Sequence, residues 1–486
     1  MQRWRSLAAI GALLLLGATP AGWASGSPWS QAEIGALHAA LDRVLSAPAL
    51  RGAHVGCLAI DTERGTELYS RNADDEFRPA SNFKLLVGSA ALRYLGPNFR
   101  FATTVTADAP PAGATIAGNL YLRGGGDAHL AASDLQAAGT ALARAGVRRV
   151  DGAVITDTSH DDAQRYAPGW SWDDLSYAYA AAVSALELEE GVVHIYVTPG
   201  ANQGAAVTLR IEPQSDAFRI ENHATTGAPG SEDTTDVVRS WDSPLTISIV
   251  GNYPAGAPES DDLEPSVPDP ARYAGDVFSR VLHDAGISVG GGVRSGTAPA
   301  TEVTLWKHES APMPQLLPEF WLPSDNLMGE LFLKELGVSR SGVPGSYANG
   351  IAVERDYLQS LNIDPATVSI VDGSGLSIYD RITPRDLVTI LQSDWEGSAR
   401  GTVLAALPVS GVSGTLKSAF AGSALQGKIY AKTGSERHTR ALSGFIATRH
   451  GPVTFSLLIN DWLGDDQPNG HATLQAFESA LFSALI

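Results

Sequence analysis

The chain has little cysteine and few basic residues, and beyond its first residues it lacks long apolar runs. Its single cysteine, Cys57, cannot form an internal disulfide, and because it lies in the apolar run 55–60 we expect an inert core residue. No later stretch approaches the roughly 18 apolar residues of a membrane-spanning helix, so membrane contact is not required. Lys and Arg number 34 against 53 Asp and Glu, which gives a net charge of −19. This charge disfavours nucleic acid and anionic lipid as partners.

Motifs for metals and dinucleotides are missing as well. The sequence contains no His-Glu-x-x-His motif and no cysteine cluster. Two glycine runs, 124–126 and 290–292, lack the spacing of a dinucleotide-binding loop and predict turns instead. We therefore expect no metal and no cofactor.

The N-terminal residues have the pattern of a secretory signal. Arg3 and Arg5 precede an apolar run at 7–16, and the small residue Ala24 follows at a position suited to cleavage. We predict a signal peptide over residues 1–24, with an uncleaved anchor as the alternative. Export without disulfides is typical of the periplasm or the cell-wall face of a bacterium.

The remaining chain predicts an α/β (α+β) protein of two to three domains. Residues 25–102 and 306–486 alternate helix and strand patterns, and Ser30 with Glu33 forms a capping box for the first mature helix. Residues 103–305 predict an inserted β-rich module, for which two subdomains are expected. Its short strand patterns lie at 115–122, 192–197, 207–211 and 245–250.

Three short motifs predict the chemistry. A serine hydroxyl needs a base within hydrogen-bond reach to become a nucleophile, and a lysine one helical turn away can serve if burial or other cations lower its pKa. A Ser-x-x-Lys spacing alone occurs by chance in most chains of this length. Followed by Ser-Asp-Asn and Lys-Thr-Gly, it is typical of penicillin-binding proteins and class A β-lactamases. The three motifs are Ser81 to Lys84, Ser324 to Asn326 and Lys432 to Gly434.

The first two motifs supply the groups that move protons. Ser81 would attack a carbonyl carbon to give an acyl-enzyme, while Lys84 takes its proton. Ser324 can relay that proton to the departing amine, and Asn326 can hold Lys84 and the substrate amide. Ser374 is a rival nucleophile, but it lacks the Gly-x-Ser-x-Gly elbow and a lysine three residues later, so we interpret it as structural.

The third motif supplies groups that hold the substrate. Lys432 places positive charge near Lys84 and near a substrate carboxylate, which Thr433 can also bind. Gly434 would leave room for substrate to pair with the strand edge. The backbone amides of Ser81 and Ser435 are suited to an oxyanion hole.

The chain resembles the D-alanyl-D-alanine carboxypeptidase/endopeptidase family of class C, low-molecular-mass penicillin-binding proteins. The distance from Ser81 to Ser324 is 243 residues (324 − 81), which matches the large insertion of that family and far exceeds the distance in β-lactamases. The resemblance covers roughly residues 30–486. Further matching phrases are at residues 69–73, 123–127, 167–174, 372–377 and 407–411.

The resemblance implies a transpeptidase-like domain split in sequence by two inserted domains. It implies cleavage of the terminal D-Ala of peptidoglycan stem peptides, hydrolysis of D-amino-acid cross-links, and covalent capture by β-lactams. Asp174 and Tyr179 occupy insert positions at which the family recognises its substrate. The charged run 435–440 departs from the family pattern, and we hypothesise that Arg437 and Arg440 bind an acidic group of the stem peptide.

Two other functions stay open from the sequence. One is a β-lactamase or esterase of the penicillin-recognising type, although no residue is identified as a separate deacylating base. The other is a catalytically silent peptidoglycan-binding protein, which the intact Ser81, Lys84 and Lys432 disfavour. The oligomeric state is also open, with a homo-oligomer among the options.

Overall fold

The computed structural model describes residue 23 and residues 26–240, 242–260, 263–467 and 469–486. The predicted signal segment, 1–24, lies outside the described residues apart from Trp23. Within the described ranges, no helix is long and apolar enough to cross a membrane.

Contacts divide the chain into two units. Among the described residues, the first unit contains those up to 85, those at 321–324 and those from 381 onward, and the second contains those at 86–320 and 325–380. The predicted limits of the inserted module, 103 and 305, fall inside the second unit, and these limits stay a prediction.

The helices and strands are numbered in chain order over the described residues. The α-helices are α1 Gln31–Leu45, α2 Lys84–Tyr94, α3 Ala132–Arg144, α4 Pro270–Asp284, α5 Met313–Trp321, α6 Asn326–Ser341, α7 Tyr347–Ser360, α8 Pro384–Glu396, α9 Arg400–Ala406 and α10 Gly470–Ser483. The strands are β1 His54–Asp61, β2 Glu67–Arg71, β3 Ala102–Ala107, β4 Thr115–Ile116, β5 Leu120–Arg123, β6 Arg149–Val150, β7 Val154–Asp157, β8 His194–Thr198, β9 Thr208–Glu212, β10 Arg219–Asn222, β11 Thr225–Gly227, β12 Asp236–Arg239, β13 Thr246–Val250, β14 Asn252–Pro254, β15 Ser288–Val289, β16 Val293–Ser295, β17 Val303–Glu309, β18 Ile429–Glu436, β19 Thr439–Thr448 and β20 Gly451–Asn460.

The first unit is built on an antiparallel sheet of five strands in the order β18-β19-β20-β1-β2. Successive side chains of a strand face opposite sides, and β1 shows this directly. Val55, Cys57 and Ala59 join the core formed with α1 and α10, whereas Leu58 packs against Val388 of α8. The sheet is therefore covered on both faces, and Cys57 is the buried core residue predicted from the sequence.

Helix α1 begins as the capping box predicts. The Ser30 hydroxyl accepts a hydrogen bond from the Glu33 amide at 3.3 Å, and the Glu33 carboxylate accepts one from the Ser30 amide at 2.9 Å. These two bonds satisfy amide groups that the first turn of a helix leaves without partners.

The second unit combines several smaller sheets with helices α3 to α7. Its largest sheet has the order β16-β7-β5-β3-β17, and β15-β6-β4 and β10-β13-β12 form three-stranded sheets. The strand pattern at 115–122 forms two strands, β4 and β5, rather than one. Gly118 lies between them, where an added Cβ would come within 2.1 Å of the Asp108 carboxylate. The short, mixed strands agree with the β-rich texture of this part of the sequence.

Candidate active site

Ser81 and Lys84 are held together at the entrance of helix α2. Ser81 lies in a short 3₁₀ turn, Ala80–Phe83, that runs directly into the helix. The Lys84 ammonium donates a hydrogen bond to the Ser81 hydroxyl, with 2.9 Å between Nζ and Oγ. In a 3₁₀ turn, side chains three residues apart eclipse each other, which brings the two groups together. The lysine side chain is fully buried.

A second lysine–serine pair comes from the other two motifs. The Lys432 ammonium donates to the Ser324 hydroxyl at 2.8 Å and to the Thr433 carbonyl at 2.9 Å. Burial, and then repulsion from the Lys84 ammonium, hold the pKa of Lys432 well below its ordinary value. An amine of this kind releases its proton more readily than a solvated lysine does.

Two hydrogen bonds to main-chain carbonyls connect the segments that carry these two pairs. The Asn82 side-chain amide donates to the Lys432 carbonyl at 2.9 Å, and the Trp321 indole donates to the Lys84 carbonyl at 3.0 Å. Trp321 is fully buried and belongs to the same short segment as Ser324. Residues from three distant parts of the sequence therefore meet in one unit.

Two non-glycine residues of the site have left-handed backbone conformations. Ala80, next to the predicted nucleophile, has φ 46°, and Ser324 has φ 68°. Such conformations cost about 1–3 kcal/mol each and persist only where the surrounding structure enforces them. They occur at the turns that present the hydroxyls of Ser81 and Ser324 to the two lysines.

Strand β18 lies at the edge of its sheet. The Ala431 amide donates outward, to the Pro408 carbonyl at 2.9 Å. Because the amides of alternate residues in an antiparallel strand face the same side, those of Thr433 and Ser435 face the same outer edge. The hydroxyls of Thr433 and Thr415 are hydrogen-bonded at 2.7 Å.

Gly434 lies close to the main chain of the segment that carries Ser81, a contact that the sequence did not predict. An added Cβ would lie 2.7 Å from the Pro79 carbonyl oxygen and 3.1 Å from the Asn82 amide nitrogen. The room that glycine provides is therefore occupied by the segment that carries Ser81.

Arg437 and Arg440 differ in their surroundings. Arg437 follows β18, is largely exposed, and forms an ion pair with Asp466 at 3.4 Å. Arg440 donates to the carbonyls of Glu436 and Thr439, both at 2.7 Å, so it braces its own hairpin.

Asn326, Tyr179 and Asp174 lie in the second unit, where the structure brings them together. Asn326 Nδ2 donates to the Tyr179 carbonyl at 2.7 Å, and the Tyr179 hydroxyl donates to Asp174 Oδ1 at 2.7 Å. Burial, and then the Asp174 carboxylate, raise the pKa of Tyr179 above its ordinary value. Asp174 and Tyr179, the two residues predicted in the insert, are thus in direct contact, and Tyr179 is hydrogen-bonded to Asn326 of the Ser-Asp-Asn motif.

Sequence reasoning assigned no role to Asn82, Trp321 or Thr415. Asn82 lies inside the first motif and Trp321 precedes the second by three residues, so proximity to a motif is a usable signal for both. Thr415 is 18 residues before Thr433 and has no comparable signal.

Comparisons with known proteins agree along nearly the whole chain. A family model described as the D-Ala-D-Ala carboxypeptidase 3 (S13) family matches residues 37–481. The D-alanyl-D-alanine carboxypeptidase of an Actinomadura species is 35% identical over 468 residues, which is 93% of this chain and 85% of the relative. DacB of Haemophilus influenzae is 25% identical over 446 residues, or 89% of this chain and 91% of the relative.

Solved structures give the fold independently. The crystal structure of penicillin-binding protein 4 from Haemophilus influenzae superimposes with a TM-score of 0.83 at 23% identity, and the match covers 92% of this chain and 99% of that one. A predatory peptidoglycan endopeptidase of Bdellovibrio bacteriovorus matches with a TM-score of 0.51 at 16% identity, covering 89% and 93%. The predicted penicillin-binding transpeptidase-like fold with inserted domains is confirmed.

Fold and family match together define a serine-type peptidase of the penicillin-binding class. The chain belongs to the D-Ala-D-Ala carboxypeptidase 3 (S13) family. This membership confirms the predicted family and the prediction that the protein is a D-Ala-D-Ala carboxypeptidase.

Proposed function

We propose that Ser81 is the nucleophile through which this carboxypeptidase removes the terminal D-Ala of peptidoglycan stem peptides. The observation that carries the proposal is the pair of lysine–serine hydrogen bonds, Lys84 to Ser81 at 2.9 Å and Lys432 to Ser324 at 2.8 Å. A hydroxyl in contact with a buried amine has its base in place before substrate arrives.

The reaction would proceed in two halves. In the first, deprotonated Lys84 accepts the proton of Ser81 while Oγ forms a bond to the penultimate D-Ala carbonyl carbon. The tetrahedral oxyanion receives hydrogen bonds from the amides of Ser81 and Ser435, and such donors contribute about 2.7–4 kcal/mol each. The C–N bond then breaks, and Ser324, supplied by Lys432, gives a proton to the leaving D-Ala amine. In the second half, water loses a proton through Ser324 to Lys432 as its oxygen attacks the ester carbon, and Lys84 returns its proton to Ser81 as the bond between Oγ and the acyl carbon breaks.

The outer edge of β18 would hold the peptide. The substrate backbone would pair with the outward-facing groups of Thr433 and Ser435, as an added strand does at a sheet edge. Its terminal carboxylate would be bound by Lys432 and by the Thr433 hydroxyl, which Thr415 orients. Because Gly434 has no side chain, the segment that carries Ser81 would lie close to this edge.

The free Ser81 hydroxyl would cleave D-amino-acid cross-links by the same attack, because the bond broken has the same chemistry when the leaving amine belongs to another stem peptide. β-Lactams would also acylate Ser81, and because the opened ring stays attached there is no departing group. We further propose that the protein is exported, on the basis of the predicted signal segment at residues 1–24.

The direct test is labelling with a fluorescent penicillin. Wild type should bind one label per chain on a peptide containing Ser81, and Ser81→Ala should bind none. Ser374→Ala, which changes the rival serine, should still be labelled. Label on a different serine would overturn the assignment. Loss of label within seconds would instead indicate a β-lactamase.

Arg437 would bind an acidic group of the stem peptide. Its ion pair with Asp466 is exposed and long, so solvent screens the attraction and little is lost when a ligand replaces Asp466. Arg437→Ala should raise KM for stem peptides with a side-chain carboxylate and leave other peptides unchanged. Arg449→Ala, an exposed arginine of another turn, is the matched control. Equal effects of Arg437→Ala on both peptide classes would end the hypothesis.

A further inference from the structure

One cluster of the second unit gathers metal-ligating atoms that the proposed chemistry does not use. His129, Glu190 and Asp325 each direct one nitrogen or oxygen into a region where these atoms all lie within 4.8 Å of one another. His129 Nε2 is 3.7 Å from Glu190 Oε1 and 3.6 Å from Asp325 Oδ2. For ligand bonds of about 2.1 Å, the edge of a tetrahedron is about 3.4 Å, so the two distances from His129 require little movement to hold an ion.

A fourth residue orients the histidine. Glu319 Oε2 lies 3.3 Å from His129 Nδ1, on the side of the ring away from the other two carboxylates. A carboxylate that accepts from Nδ1–H fixes the tautomer whose Nε2 lone pair can bind a metal, as second-shell carboxylates do in zinc proteins. Nε2 is then directed at Glu190 and Asp325.

The two carboxylate oxygens of Asp325 have different partners. Oδ1 accepts the Met328 amide at 3.0 Å and caps helix α6, which leaves Oδ2 for the cluster. The Asp325 side chain is only 10% exposed. A carboxylate fixed by a cap and largely buried is a more rigid ligand than a solvated surface aspartate.

Carboxylates outnumber the single imidazole in this cluster. Three carboxylates, of Glu190, Glu319 and Asp325, face one imidazole, and in the described part of the chain no lysine or arginine forms an ion pair with them. A divalent ion would neutralise two of these charges.

We propose that His129, Glu190 and Asp325 bind a divalent transition-metal ion of the Zn²⁺ type, with Glu319 as the residue that orients His129. An imidazole with carboxylates suits Zn²⁺ better than Mg²⁺ or Ca²⁺, which prefer oxygen ligands alone. The ion would fix the turn that carries Glu190 against the start of α6. Asp325 lies between Ser324 and Asn326 in the sequence, so occupancy would order the segment that carries the second motif. The sequence predicted no metal, because these three ligands are spread over 196 residues (325 − 129) and match no motif.

Titration calorimetry with Zn²⁺ alone on chelator-treated full-length protein tests the proposal. Wild type should bind one ion per chain. His129→Ala should weaken binding at least 100-fold, and Glu319→Gln should weaken it about 10–100-fold, the range seen for second-shell partners. His283→Ala changes an exposed histidine whose ring lies 3.4 Å from Asp284, and this variant should bind as wild type does.

A spectroscopic readout keeps the test decisive if His129→Ala folds poorly. Co²⁺ bound to wild type should give ligand-field absorption that Glu190→Gln weakens, and Zn²⁺ should raise the Tm of wild type more than that of Glu190→Gln. Binding should also decline at acidic pH, because protons compete for the ligands. The proposal is overturned if wild type binds no Zn²⁺, or if folded His129→Ala and Glu190→Gln bind it with wild-type affinity.

Discussion

The contact between Gly434 and the Ser81 segment can be tested by adding one methyl group. In Gly434→Ala, the new Cβ would lie 2.7 Å from the Pro79 carbonyl oxygen, where ordinary contact begins near 3.4 Å. The atoms must therefore separate by about 0.7 Å, the difference between these distances. Pro79 O belongs to the main chain and cannot rotate away, so the turn that carries Ser81 has to move.

The expected loss follows from that displacement. A misplacement of about 1 Å at a reacting group costs about 100-fold in rate, so we expect acylation by fluorescent penicillin to slow about 10–100-fold. Overpacking of this kind destabilises a protein by about 1–3 kcal/mol, so the variant should remain folded at 25 °C. The labelling reaction is stopped at a series of times, and gel fluorescence of each sample gives the rate of acylation.

Gly35→Ala is the matched control. Gly35 is exposed in helix α1, and an added Cβ there meets nothing within 4 Å. Alanine in a helix interior is favoured over glycine by about 0.5–1 kcal/mol, so this variant should be at least as stable as wild type and be labelled at the same rate. A Gly434→Ala variant that is acylated as fast as wild type would refute the reasoning, because the position of Ser81 would then not depend on this contact.

Three further outcomes are expected. Lys84→Met should slow acylation about 10²–10⁴-fold, the usual contribution of a general base, and normal labelling of this variant would assign the base elsewhere. The acylation rate of wild type should fall as pH is lowered, because an ammonium group cannot accept the proton of Ser81; initial rates across a pH series measure this, and a rate that rises toward acid would contradict it. Burial raises the pKa of Asp161 from 3.8 to about 6, so its proton stabilises the fold at low pH, and this contribution of about 3 kcal/mol is lost as pH rises from about 4 to 6. Chemical denaturation should show a smaller loss over that range in Asp161→Asn, and an unchanged pH dependence would show that Asp161 titrates normally.

Local signals in the sequence predicted the elements that carry the site. The capping box of Ser30 located the start of α1, and the apolar run around Cys57 lies in the buried strand β1. The order of the three motifs predicted that Ser81 and Lys432, 351 residues apart (432 − 81), belong to one site. The capping box, the apolar run and each single motif can be recognised because each depends on residues within a few positions of one another.

Other features depend on contacts that no local pattern encodes. Thr415 orients Thr433 through a chain reversal, and Gly434 is required by a carbonyl at Pro79 rather than by its own strand. The division into units is also a property of packing. Candidate catalytic groups could therefore be named from the sequence, whereas the residues that contact them could be found only in three dimensions.

The lone thiol of the chain makes the opening of an interior strand observable. Cys57 lies in β1, between β2 and β20, and burial raises its pKa to about 12, so it is neither accessible nor ionised in the folded state. A pulse of alkylating reagent would modify this sulfur only when the sheet opens. The extent of modification, read by mass spectrometry with no engineered probe, would give the frequency of that opening with and without a bound β-lactam.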